Sequence, residues 1–133
     1  MGGLSMISRG AAFLAIGLLA TSAHSETFTR VMVTGGTLQL GLFNSLNADC
    51  SSVGYATIRV TNAPQHGAVT TRKGKGFPQY GAGPLRDCNV RKVDGVFVYY
   101  TPEPGFTGSD YFSIDAIFAN GFERLEDFQI TVK

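Results

Sequence analysis

Asp110 and Asp115 are the acids whose spacing most suggests chemistry, since a carboxyl pair can divide general-acid and general-base roles. They stand in a β-type run, and five positions apart on a strand places them on opposite faces. Asp110 follows Gly108-Ser109, where a carboxylate serves a turn by accepting backbone N–H groups. Ser109 lacks the Gly-x-Ser-x-Gly elbow that exposes a nucleophile. His66 has the chemistry of a base or ligand, but its place before Gly67 fits a residue that opens a strand and packs or bonds locally. No metal-ligand spacing and no phosphate-cradling glycine loop opening a helix is present. The expectation is therefore no catalytic residue, no metal and no cofactor, with His66, Gly67, Gly105, Gly108 and Asp110 serving turns.

Cys50 and Cys88 are the only cysteines. An even count in an exported chain most simply means a disulfide. A metal pair or a reactive thiol is the alternative, and the absence of Cys-x-x-Cys spacing gives neither support. The bond would close a long loop and contribute about 4 kcal/mol on the chain-entropy view.

A third group is basic and aromatic. The stretch Arg72–Asp94 has no sustained period and is expected to be one long loop. Connections of that length are uncommon in small domains unless functional or mobile. It gathers Arg72, Lys73, Lys75, Arg86, Arg91 and Lys92, interleaved with Phe77, Pro78, Tyr80 and Leu85. Arg72, Lys73, Lys75, Phe77, Tyr80 and Arg86 are the candidate binding residues. Their chemistry suits an anionic polysaccharide, a peptidoglycan carboxylate or an acidic partner protein, with arginine giving two-pronged contacts. The alternative is a solvated loop with a few side chains tucked onto the domain edge.

The elements that must hold these groups are short strands. Before them, Arg9 and the apolar run Gly10–Ala20 lead to the small residues Ala23-His24-Ser25, the pattern of a secretory signal peptide over residues 1–25. The run is too short for a stable membrane span, which takes roughly 20 apolar residues. Without the leader the chain has ten basic and ten acidic residues. That balance argues against nucleic acid as a partner. Residues 26–133 are the length of one domain, and the expected location is periplasmic or extracellular.

Alternation marks strands at Phe28–Val33, at Thr37–Leu42 with Leu38, Leu40 and Leu42 on one face, and at Tyr55–Thr61 with Ala56, Ile58 and Val60 together. Another opens at His66. Val96–Thr101 is apolar on both faces and is expected to be central, followed by a turn at Pro102-Glu103-Pro104-Gly105. Tyr111–Phe118 and a last strand with Phe128, Ile130 and Val132 inward are joined through Asn120-Gly121, a strong hairpin signal. No helical period appears. About seven such strands predict an all-β sandwich.

Two spaced motifs add a resemblance. Pro64-x-His66-Gly67-x-Val69, then Phe97-x-Tyr99-x-x-Pro102 and Gly105-Phe106-Thr107-Gly108-Ser109-Asp110-x-Phe112, resemble the bacterial Ig-like and cadherin-like repeats. The likeness runs from about Asn47 to the C-terminus, interrupted by Arg72–Asp94. It implies an Ig-like Greek-key sandwich of seven strands in an exported or cell-surface protein, in a family whose members often stand in tandem in adhesins. Calcium-binding members use clustered acids at junctions between repeats; Asn47 and Asp49 are the nearest parallel here, without such a cluster and without a second repeat.

Two functions of different class follow. One is a non-catalytic binding or structural module of the bacterial cell envelope, contacting an envelope protein or polysaccharide through residues 72–94. The other is a small secreted hydrolase, or an enzyme's accessory domain, with that loop as a lid. A pocket beside the loop with converging carboxylates or His66 would favour the enzyme.

Overall fold

The structure is a computed structural model that describes residues 2–3, 10–19 and 25–133. Arg9 and Ala23-His24 of the expected leader lie outside the described residues; residues 10–19 carry neither helix nor strand. No helix among the described residues is long and apolar enough to cross a membrane.

Among the described residues seven strands follow in chain order: β1 Glu26–Met32, β2 Leu38–Phe43, β3 Thr57–Asn62, β4 Gly67–Gly76, β5 Val93–Pro102, β6 Gly108–Ile117 and β7 Glu123–Val132. They form a four-stranded sheet in the order β1-β7-β6-β3 and a three-stranded sheet in the order β2-β5-β4. All pairings are antiparallel except β1 with β7. The chain is an all-β, two-sheet sandwich, as its alternation predicts.

Period-two burial explains the core. Val98 and Tyr100 of β5 face Phe112, Ile114 and Ala116 of β6 and Phe128, Ile130 and Val132 of β7, all buried. Stacked rings run across the interior, Tyr100 to Phe112 at 5.6 Å, Phe112 to Phe128 at 4.9 Å and Phe128 to Phe28 at 5.4 Å between centroids. Each fully buried side chain of this kind contributes about 1.5–3 kcal/mol by leaving water. β5 is central in its sheet, as its two apolar faces predict.

The turns follow their residues. Glu103-Pro104-Gly105-Phe106 closes with Phe106 N–H donating to Glu103 O at 3.0 Å, and Gly105 has φ +77°, which a side chain would resist. Between β6 and β7, Asn120 Oδ1 accepts the Phe122 N–H at 3.1 Å.

Three expectations need correction. Arg72–Asp94 is not one loop: β4 runs through Gly76 and β5 begins at Val93, in continuous register from Gly67 opposite Pro102 to Gly76 opposite Val93. Arg72, Lys73 and Lys75 are therefore strand residues. Edge-strand position lets polar side chains occupy both faces, and Gly74 and Gly76 erase the apolar beat that would have revealed the strand. On β2, a bulge between Gln39 and Gly41 breaks alternation. Leu38 and Leu40 meet the core, whereas Leu42 turns to the outer face against Gly95 and Gly76. On β3, a register shift follows Val60, which is 42% exposed instead of sharing the burial of Ala56.

Candidate functional site

The shortened connection, residues 77–92, folds back on the sandwich and is braced. Tyr80 Oη donates to Asn44 Oδ1 at 2.6 Å, Tyr80 N–H to Asn89 Oδ1 at 2.8 Å, and Asn89 Nδ2 returns to Tyr80 O at 2.9 Å. A 3₁₀ turn, Arg86–Val90, carries Cys88, which joins Cys50 with 5.5 Å between Cα atoms. The disulfide ties this connection to the turn after β2, outside both sheets.

The six candidate binding residues do not form one patch, because β4 sends neighbours to opposite sides. Arg72 lies on the outer face, its guanidinium 5.5 Å from the Tyr99 ring centroid and Nη2 donating to Tyr99 Oη at 3.1 Å. Lys73 turns the other way, over the Tyr55 ring at 4.6 Å. Lys75 pairs with Asp94 at 2.7 Å, which holds the ammonium charged above its usual range. Phe77 is exposed beside Lys92, Arg86 is exposed on the 3₁₀ turn, and Tyr80 is committed to the brace.

What the hairpin does assemble is a groove on the outer face of the β2-β5-β4 sheet. Phe97 and Tyr99 stand side by side, ring centroids 6.2 Å apart and tilted 32°. The groove is about 580 Å³, with Phe97, Leu42 and Phe77 as apolar surface and Arg30, Gln39 and Gln79 as polar surface. A side chain at Gly76 would meet Phe97 at 2.9 Å, so glycine there keeps the floor open. Beyond Tyr99 the face continues as Thr37, Thr70, Arg72 and Thr101 around a second depression.

A second cavity, about 310 Å³, opens where the β1 edge of one sheet nears the β2 edge of the other. Phe28, Phe43, Phe128 and Leu40 line it together with Arg30, Gln79, Arg124 and Glu126. Glu126 is 3% exposed and receives Arg124 Nε on Oε1 at 2.5 Å. Burial pushes its carboxyl up, Glu26 adds to the rise, and Arg124 and Arg30 oppose it. The Arg124 guanidinium lies 5.4 Å from the centroids of both Phe43 and Phe118.

No family model matches this chain, and no curated protein matches it.

The turn residues lie elsewhere. Asp110 is buried and accepts N–H groups from Gln65 at 3.0 Å, His66 at 3.1 Å and Tyr111 at 3.0 Å, and the Tyr100 hydroxyl at 2.7 Å. Burial, then this bond, raises the Tyr100 phenol far above its ordinary value. His66 stacks on Phe106 with centroids 4.4 Å apart. Gly67 lies so close to Tyr100 that a Cβ would meet its ring at 2.5 Å. Gly105 and Gly108 both carry positive φ. Asp115 faces the opposite side from Asp110 and pairs with Arg59 at 2.8 Å; its contact raises the carboxyl of Glu123. Asn47 and Asp49 belong to a local turn, where Asp49 accepts the Ser51 N–H at 3.0 Å. Among the described residues no group of three or more His, Cys, Asp or Glu is placed to hold a metal ion.

Sequence reasoning missed Arg30, Gln39, Gln79, Phe97 and Tyr99 as groove residues and Arg124 and Glu126 in the cavity. A signal for the last two exists: continuing the inward beat Val132, Ile130, Phe128 backward puts Glu126 and Arg124 on the same face, where Glu126 is buried and Arg124 lies at the exposed end.

Proposed function

We propose that this chain is an exported, non-catalytic binding module of the bacterial cell envelope that holds an acidic polysaccharide along the outer face of the β2-β5-β4 sheet. The observation that carries the reading is the half-buried pair of rings on the outer face, Phe97 within and Tyr99 beside a groove of about 580 Å³ that also has Arg30, Gln39 and Gln79. Sugar rings present flat C–H faces that lie on aromatic rings, and guanidinium groups take carboxylates in two-pronged contacts. Arg72, stacked over Tyr99, supplies a charge beside the rings. The Cys50–Cys88 disulfide agrees with an oxidising compartment. The two-sheet fold agrees with the Ig-like and cadherin-like resemblance of the Pro64–Val69 and Phe97–Phe112 motifs. Against a hydrolase stand the braced connection and the lining of the groove, which includes no carboxylate and leaves His66 at the other end of β4.

Gel retardation in polygalacturonate, with neutral dextran as the control, tests this. The purified protein is expected to be slowed by the acidic polymer alone. Arg72→Ala and Phe97→Ala should each weaken that retardation about tenfold, and Arg72→Ala should leave the thermal midpoint nearly unchanged, because this guanidinium is exposed. Equal migration of wild type and Arg72→Ala through the acidic gel would remove the reading.

A further inference from the structure

Glu126 is the one acid that β7 directs toward the sandwich interior, in series with Phe128, Ile130 and Val132. An apolar residue would close that position without taking a charge out of water, an exchange that is often neutral or stabilising. The carboxylate instead sits in the cavity between the β1 and β2 edges, whose volume of about 310 Å³ is at the small end of the roughly 300–1,000 Å³ common for ligand pockets.

The charges around that cavity are arranged by sign. Glu126 provides negative charge among the rings of Phe28, Phe43 and Phe128. Arg30 and Arg124, both more exposed than Glu126, provide positive charge beside it. Arg124 gives Nε to Glu126, and no hydrogen bond from its two Nη atoms is made among the described residues; Arg30 gives only Nη1, to the Thr29 carbonyl at 3.1 Å. A simple anion entering here meets the Glu126 carboxylate. A simple cation meets two guanidinium groups. A small molecule carrying both charges a few ångströms apart satisfies all three.

We infer that this cavity is a binding site for a zwitterionic α-amino acid with an apolar side chain. Its ammonium would donate to Glu126, its carboxylate would meet the guanidinium groups of Arg124 and Arg30, and its side chain would lie among Phe28, Phe43, Phe128 and Leu40. The cavity adjoins the polysaccharide groove and shares Arg30 and Gln79 with it, but Glu126 and Arg124 belong to the cavity alone, and Phe97, Tyr99 and Arg72 take no part in it.

Calorimetric titration of the wild-type protein with leucine and phenylalanine is the direct test, with N-acetyl-leucine lacking the ammonium and leucine methyl ester lacking the carboxylate. Both free amino acids should bind, and acetylation or esterification should each weaken binding at least tenfold. Glu126→Gln keeps the side-chain size and should weaken leucine at least tenfold, while retardation by polygalacturonate stays as in wild type. Should Glu126→Gln not fold, the two blocked ligands on wild type still decide the matter. The proposal is overturned if neither amino acid binds at millimolar concentration, if a blocked form binds as well as leucine, or if folded Glu126→Gln binds leucine unchanged. In each case Glu126 and Arg124 would be a structural pair only.

Discussion

Asp110 shows how a residue that invites a catalytic reading can be absorbed by architecture. Its carboxylate gathers the N–H groups of Gln65 and His66 from the β3–β4 turn and the hydroxyl of Tyr100 from the opposite sheet. Replacing it with alanine strands buried donors, each costing about 1–3 kcal/mol. Asp110→Ala is therefore expected to lose about 3–4 kcal/mol in urea unfolding; a loss below about 1 kcal/mol would contradict the role. The turn role was legible from Gly108-Ser109-Asp110, but the partners Gln65 and His66 were not, because they lie more than 40 positions earlier in the chain. Glu126 carries a prediction about pH. Its folded-state carboxyl lies above the ordinary 4.5, so between those two values the folded chain binds more protons than the unfolded one. Its contribution is present at acid pH and is lost as pH rises through the folded value. Urea midpoints of wild type should thus decline from pH 4.5 upward relative to Glu126→Gln, and parallel curves would show that burial does not govern this group.

The β4–β5 hairpin carries most of the surface on which function is proposed. Its basic side chains have a physical use there apart from any ligand. β4 is the edge of its sheet, and lysines on an edge discourage pairing with another chain. That dual use explains why Arg72, Lys73 and Lys75 looked like a loop patch in sequence: charge marked the edge, and Gly74 and Gly76 hid the strand. By contrast, β5, β6 and β7 were legible because large apolar residues recur at every second position over most of their length, and the pairings β6–β7 and β4–β5 run without a bulge. β2 failed at Leu40 for the converse reason, since a bulge inserts one residue and reverses the face of Leu42. Gly67, where β4 begins, tests how closely the hairpin packs on the core. A Cβ there would meet the Tyr100 ring at 2.5 Å and the Thr101 carbonyl at 2.7 Å, one of them backbone that cannot yield freely. Gly67→Ala is expected to destabilise by about 1–3 kcal/mol, with a displaced Tyr100 ring visible in its aromatic NMR shifts. An unchanged thermal midpoint would mean the strand end gives way without cost.

The molecule as a whole divides into a core that the two sheets hold and an end that the disulfide holds. Cys50 and Cys88 both lie outside the strands, and Cys88 is buried beneath the 3₁₀ turn. The ring stack from Tyr100 to Phe28 includes nothing from residues 77–92. Breaking the bond should therefore act in two ways that can be separated. The unfolded chain regains the freedom of a 38-residue separation, which on the chain-entropy view removes about 4 kcal/mol of stability. In the folded chain, only the braced connection and the turn after β2 should loosen. For a Cys50→Ser/Cys88→Ser variant the expected result is a thermal midpoint lower by at least about 10 °C. Amide exchange should quicken at residues 77–92 and 44–52, while the central strands β5, β6 and β7 retain their order of protection. Because the groove takes Phe77, Pro78 and Gln79 from the near end of that connection and Phe97 from β5, retardation by the acidic polymer should weaken without vanishing. Uniform loss of protection across all seven strands would instead make the disulfide part of the core, and would tie the proposed binding face to the redox state of the compartment.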